Sequence, residues 1–240
     1  MTKKRSIIFV SDKYKTIFVR VPKTGSTSIV HSIGNIFDKK YNNTLPEECH
    51  VLGGLAKHIP ASDIAKHMPE IWKNYFTFSF VRNPYYHVIS AYYQLKNKES
   101  HGYPSLYDST KMESIESFMP YILEHFPKWI RQDLLLFDSN GNQLVDYIGK
   151  KENLQPKWLK QRVPLSNTDN NQSVDYADKY ENIQSDYKFV CNKIGIKPKP
   201  LARKRTNQTN VDYDRLLTPY LKSMIAYELR DTFEILGYKI

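Results

Sequence analysis

Residues 74–81, "NYFTFSFV", are a continuous run of apolar and aromatic positions, the pattern of a strand buried on both faces. "RNPYYHVISAYYQLK" follows directly and reads as a helix with Pro84 in its first turn, where the missing N–H costs nothing. The same order occurs earlier in the chain. Residues 6–10 ("SIIFV") and 15–21 read as two short strands around a Ser-Asp-Lys turn, with Ile, Phe, Val, Arg, Val alternating at 17–21. A small polar stretch at 22–27 then leads into apolar positions Ile29, Val30, Ile33 and Phe37, one face of a helix ending near Asp38. Two strand–turn–helix units in succession predict an α/β protein.

Beyond these units the pattern is coarser. "KKYNNTLPEECHVLGG" reads as loop. "PASDIAKHMPEIW" reads as one or two helical turns opened by Pro60 with Ser62 or Asp63. Residues 97–112 are a polar loop and 113–126 a helix. "LLLFDSNGNQLVDYI" holds Asn140-Gly141 between apolar runs, a hairpin signal. The last thirty residues carry one long amphipathic helical pattern ending at Gly237. "VDYIGKKENLQ" at 145–155 is echoed by "VDYADKYENIQ" at 174–184, seven of eleven positions matching. Two copies are too few for a solenoid. The expected organisation is a single domain over 1–240 with an insertion or local duplication around 145–184.

Charge narrows the partners. The formal net charge of +10 asks for something anionic: nucleic acid, an acidic glycan, a membrane surface or a phosphorylated cofactor, unless it is only a solvated basic face. No N-terminal apolar region of a targeting signal is present, because "MTKKRSIIFV" breaks off at Ser11-Asp12. No run approaches the about 18 apolar residues of a membrane span. Cys49 and Cys191 make neither a zinc pattern nor a disulfide framework, which suits reduced thiols and a cytoplasmic location. No nucleic-acid recognition motif occurs, and nothing in the pattern speaks to oligomeric state.

The candidate chemistry lies in the two turns. "IFVRVPKTGSTSI", residues 17–29, leaves a strand, gathers Lys23, Thr24, Gly25, Ser26, Thr27 and Ser28, and enters a helix. A helix N-terminus and loop amides directed at one point favour an anion. The Walker order G-x-x-x-x-G-K-[ST] is not met, because Lys23 precedes Gly25 and no acidic metal partner stands nearby. The parts for gripping an anion are nevertheless there: a lysine point charge, a glycine for close approach and several hydroxyls. The plain alternative is a strand-to-helix turn with a serine N-cap. In the second turn, strand 74–81 delivers Arg82 to its C-terminal end, where ligands sit in parallel α/β sheets. Ser90 follows a little over two helical turns later. Together they could clamp one phosphate, the arginine by a forked contact.

These residues resemble the sulfotransferase family. "VPKTGSTS" is similar to its 5′-phosphosulfate loop, and "FVRNPYYHVISAYY" to its 3′-phosphate motif, Arg-x-Pro followed by Ser-x-Tyr. The carbohydrate branch, which includes the heparan sulfate 2-O-sulfotransferases, resembles the chain best. The resemblance extends to "YENIQSDYKFVCNKIGI" and "YELRDTFEILGY". It implies a three-layer, P-loop-like α/β fold with a central, mainly parallel sheet flanked by helices. It also implies 3′-phosphoadenosine 5′-phosphosulfate (PAPS) as sulfuryl donor, with no metal. Lys23, Thr24, Gly25, Ser26, Thr27 and Ser28 would take the 5′ end, and Arg82 and Ser90 the 3′-phosphate. "ARKRTNQT" at 202–209 would supply a basic closing loop through Arg203, Lys204, Arg205 and Thr206.

Lys23 and His58 are the expected catalytic residues. Lys23 would meet charge developing on the leaving phosphate oxygen. His58, in "AKHIPASDI" between the two turns, is the expected base for the acceptor hydroxyl, on its context in the family. His50, His67 and His87 are weaker choices, and Glu47, Glu48 and Asp63 remain open. Gln132 and Asp133 are candidates for approaching the acceptor, which the resemblance makes a saccharide or polysaccharide. A P-loop-type phosphate-transfer enzyme and a non-catalytic polyanion-binding protein are the alternatives.

Overall fold

The computed structural model describes residues 7–46, 49, 58–96, 113–151, 183–201 and 212–240. Four strands form one sheet in chain order: β1 (Phe9–Ser11), β2 (Thr16–Phe18), β3 (Phe76–Arg82) and β4 (Tyr147–Lys151). β1 runs antiparallel to β2, while β2, β3 and β4 are parallel. The parallel strands therefore present their C-terminal ends at one edge.

Helices cover both faces of the sheet. α1 (Ser26–Ile33) and α7 (Ile183–Lys193) pack on the face carrying Phe9, Phe18, Phe78 and Phe80. Phe18 and Phe78 stack with centroids 4.9 Å apart. α2 (Ala61–His67) and α6 (Asp133–Leu136) cover the other face, against Ile17, Val19 and Val81. α3 (Pro69–Asn74) follows α2. A third cluster is helical: α4 (Pro84–Lys96), α5 (Ile115–His125), α9 (Pro219–Glu228) and α10 (Arg230–Ile235) enclose Phe118, Trp129 and Phe233. This is the expected three-layer α/β arrangement.

β3 is buried on both faces, as its pattern predicts. Its second face carries two hydroxyls, Thr77 and Ser79, beside Val81, and each hydroxyl has a partner. Ser79 Oγ donates to the Val19 carbonyl at 2.8 Å, and Thr77 Oγ1 to Asp146 Oδ2 at 3.0 Å. Satisfied hydroxyls can be buried at little cost. β4 approaches β3 closely at Gly149, where a Cβ would lie 2.6 Å from Phe80 Cε1.

Four boundaries differ from the sequence expectation. The Asn140-Gly141 turn closes only an isolated bridge, Phe137 to Gln143, because the second arm continues into β4 and pairs parallel with β3. The turn is held by Asp138, whose Oδ1 accepts from the amides of Asn140 and Asn142. The C-terminal helical pattern is three helices, not one. α8 (Tyr213–Leu216) stops before Thr218-Pro219, since a residue preceding proline avoids helical backbone. α9 and α10 part at Leu229, while Gly237 ends the run at φ +65° as expected. α2 begins after Pro60 without a side-chain cap, so neither Ser62 nor Asp63 caps it. α1 ends at Ile33, and a 3-10 turn over Gly34–Ile36 completes the path toward Asp38.

Candidate active site

The turn after β2 is built by two left-handed residues. Lys23 has φ +59° and Gly25 φ +83°. Left-handed backbone costs a side-chain-bearing residue about 1–2 kcal/mol, so Lys23 is held there by its surroundings. Thr24 Oγ1 donates to the Val21 carbonyl at 3.1 Å and clips the turn. Gly25 is the N-cap of α1, with no side-chain cap, so the serine-cap alternative does not describe this turn. A Cβ on Gly25 would sit 3.2 Å from Ile183 Cδ1 and 3.2 Å from Lys151 Cδ. Glycine thus meets both a conformational and a spatial need.

Arg20 organises the hydroxyls. Its Nε donates to Ser26 Oγ at 3.0 Å and its Nη2 to Thr27 Oγ1 at 2.9 Å. A hydroxyl that accepts from a guanidinium keeps its own O–H to donate elsewhere, and the cation polarises it. Ser28 is buried in the first turn of α1, its amide bonded to the Gly25 carbonyl at 2.9 Å.

Arg82 is presented differently. The buried Gln132 amide holds its backbone on both sides. Gln132 Oε1 accepts from the Arg82 N–H at 2.8 Å, and Gln132 Nε2 donates to the Arg82 carbonyl at 2.6 Å. The Arg82 guanidinium lies 5.2 Å from the Tyr213 ring centroid and 6.0 Å from that of Tyr86. Tyr86 in turn donates to Asp214 Oδ1 at 2.8 Å.

α4 joins the two turns. His87, Ser90 and Gln94 recur at helical spacing on one face. His87 Nε2 lies 2.8 Å from the Pro22 carbonyl, and Gln94 Oε1 accepts from Lys23 Nζ at 2.8 Å. Ser90, buried between them, shares that face. The helix that begins just past Arg82 therefore ends on Lys23, and both cations belong to one site.

The charges agree with this proximity. Burial pushes the His87 imidazole down to about 3, and the positive charges of Arg82, Lys23 and Lys151 act in the same direction. The neutral ring donates Nε2–H to Pro22, while His87 Nδ1 is buried without a hydrogen-bond partner. Burial also holds the Lys151 ammonium well below the ordinary lysine range, with Arg82 and then Lys23 adding to it. Lys151 is the register partner of Arg82 on β4.

His58 is buried and reaches the same segment from just ahead of α2, its Nδ1 2.9 Å from the Arg20 carbonyl. Its ring meets Trp129 edge-on at 6.1 Å. A ring donating Nδ1–H to a carbonyl keeps its lone pair on Nε2. His67 stands apart, with Nδ1 at the Asp63 carbonyl of its own helix.

Some expected residues are elsewhere. Arg203, Lys204, Arg205 and Thr206 lie outside the described residues, as do His50, Glu47 and Glu48. Gln132 acts on Arg82 rather than toward an acceptor. Asp133 is buried in an ion pair with Arg131 at 2.6 Å and accepts from Thr232. Sequence reasoning missed Arg20, Gln94 and Lys151. Gln94 could have been found, since it lies four residues past Ser90 on the same helical face.

Cations therefore gather at the C-terminal edge of a mainly parallel sheet, around a glycine-capped helix start, in an α/β protein. A family model described as Sulfotransferase family matches residues 6–231, and the chain belongs to that family. It is a sulfotransferase, an enzyme that moves a sulfuryl group to an acceptor hydroxyl. No curated protein and no solved structure gives a match.

Proposed function

We propose that this enzyme takes its sulfuryl group from PAPS and places it on a hydroxyl of a saccharide, with His58 as base. The observation that carries the reading is α4, which begins two residues past Arg82 and reaches Lys23 through Gln94, and this supports both turns serving one anionic ligand. The residues fit such a ligand. Gly25 lets Ile183 and Lys151 pack directly against the turn, where a Cβ would crowd them, and the surrounding donors are cations and hydroxyls suited to phosphate.

Bound there, PAPS would supply the sulfuryl group and a phosphate leaving group that gathers negative charge. Lys23 is positioned by Gln94 and by its own left-handed backbone to meet that charge. Ser26 and Thr27, polarised by Arg20, donate to the same end. Arg82 offers a forked contact to the 3′-phosphate and Ser90 a hydroxyl bond. Arg203, Lys204, Arg205 and Thr206 remain our candidates for a basic segment over the nucleotide. His58 donates Nδ1–H to Arg20 and accepts the acceptor's proton at Nε2. The buried thiols Cys49 and Cys191 suit a cytoplasmic setting. No described helix is long and apolar enough to cross a membrane.

The test is calorimetric titration with the desulfated nucleotide, 3′-phosphoadenosine 5′-phosphate, in chelator, followed by transfer of labelled sulfuryl from PAPS to a panel of saccharides. Saturable binding followed by label on a saccharide hydroxyl is the expected result. No binding heat would end the PAPS reading. Label only on non-saccharide acceptors would end the carbohydrate assignment. A His58→Ala enzyme with unchanged kcat across pH 6 to 8, a range that includes ordinary histidine titration at about 6.5, would remove His58 as base.

A further inference from the structure

Lys151 has no role in the account above, yet it stands at the centre of the site. It is the last residue of β4 and faces Arg82 across the parallel ladder. Its stem runs over the N-cap of α1. Lys151 Cδ lies 3.2 Å and Cε 3.4 Å from the position a Gly25 Cβ would take. The ammonium is therefore carried to the positive end of the α1 dipole, beside Lys23 and Arg82, where a cation is least welcome unless an anion joins it. No hydrogen bond or ion pair to the Lys151 ammonium is present among the described residues.

We propose that Lys151 is a third cation of the donor cleft, touching the anion held at the α1 N-terminus, and that it gains a proton as that anion binds. The proposal rests on the donor reading above and extends it to a residue outside the two turns. The surroundings agree element by element. β3 offers Arg82, the β2–α1 turn offers Lys23, and α4 offers the neutral His87. α7 brings Ile183 and Asp186, but that carboxylate is engaged by the Lys150 N–H at 2.7 Å and the Tyr147 hydroxyl at 2.8 Å. Among these groups nothing stabilises the ammonium form of Lys151. Burial and the two cations favour its neutral form, and an entering dianion reverses that preference. The proton comes from solvent and no bond is made or broken at carbon.

Linkage fixes the sign. A group protonated on binding makes affinity fall as pH rises between its free and bound pKa values, by about tenfold per pH unit for one whole proton. The experiment is calorimetry with 3′-phosphoadenosine 5′-phosphate at about pH 8, in two buffers of different ionisation enthalpy. Phosphate monoesters, with a second pKa of about 6, are already dianionic there and take up nothing. Wild type is expected to absorb a substantial fraction of a proton. Lys151→Met should abolish the uptake and weaken binding by about tenfold or more. Lys151→Arg keeps a charge that does not titrate, so it should bind without uptake. Should the methionine variant not fold, the arginine variant decides alone. Equal uptake in wild type and variants, or an affinity unchanged between about pH 7 and 9, overturns the role of Lys151 while leaving the donor reading intact. Failure of wild type to bind the nucleotide at all overturns both.

Discussion

The two strand–turn–helix units reach the same site by different means. The β2–α1 turn bends its own backbone, with Lys23 and Gly25 both left-handed, so that amides, hydroxyls and one ammonium crowd a helix start. The β3–α4 turn has no left-handed residue and presents one guanidinium, with the Gln132 amide clasping the residue from outside. The first grip is conformational and local in sequence. The second is a side-chain grip maintained by a residue fifty positions away. A turn of the first kind can be read from a short string, whereas the support of the second cannot.

Substitutions can break this contrast. The largest effect is expected from Lys23→Ala, a loss of about 10²–10³ in kcat, as for removal of one donor to developing charge, with a smaller loss of nucleotide affinity. Arg82→Ala should do the reverse, weakening affinity by about 10–100-fold while kcat falls less. Steady-state kinetics with varied PAPS, read beside calorimetry, separates the two. An equal division of kcat and affinity losses in both variants would erase the distinction.

Gln132→Leu should cost about 2–4 kcal/mol of stability, because the Arg82 N–H and carbonyl both lose a buried partner. Denaturant unfolding measures it, and nucleotide affinity should fall with Arg82 otherwise intact. A Gln132→Leu enzyme as stable as wild type would mean that the clasp carries no weight.

His87 tests the brace between the turns. Its folded-state pKa is about 3, below the ordinary 6.5 of an unfolded chain, so the unfolded state binds the extra proton between those values. Stability therefore falls as pH drops below about 6.5, by about 2 kcal/mol on reaching pH 5. His87→Gln retains a donor for Pro22 and cannot titrate, so that part of the acid slope should vanish. Melting curves from pH 7 to 5 decide it, and an unchanged slope contradicts a buried neutral imidazole. The smallest effect is expected from Gly25→Ala, about 1–2 kcal/mol of backbone strain, with nucleotide affinity reduced by the crowded turn. Wild-type affinity there would remove the conformational half of the contrast.

Much of the fold is legible in the sequence because its signals are local. The run 74–81 and the string from Lys23 to Ser28 carry their own periodicity and small-residue content, and both become what the pattern predicts. β4 is not legible. "YIGKK" is short, interrupted by glycine and followed by no helix signal, and the Asn-Gly turn before it suggests antiparallel pairing. Its parallel partner lies about seventy residues upstream, a non-local contact that no window contains. Lys151 is hidden with it. Gln132 stands out in the sequence without its partner, since a lone amide does not declare which backbone it will meet. Arg20 reads as one outward position of an alternating strand, and its hold on Ser26 and Thr27 depends on the turn geometry.

Gly149 gives the sheet edge a further meaning. A bare α-carbon at that place lets the Phe80 ring close the gap between β3 and β4, two residues ahead of the paired Arg82 and Lys151. The Phe80 ring thus rests where a methyl would otherwise be, two residues along the ladder from the two like charges. Inserting that methyl with Gly149→Ala would splay the strands and relax the repulsion. The acidity of a lysine would then be tuned by a contact about 7 Å along the chain, with no charged group altered.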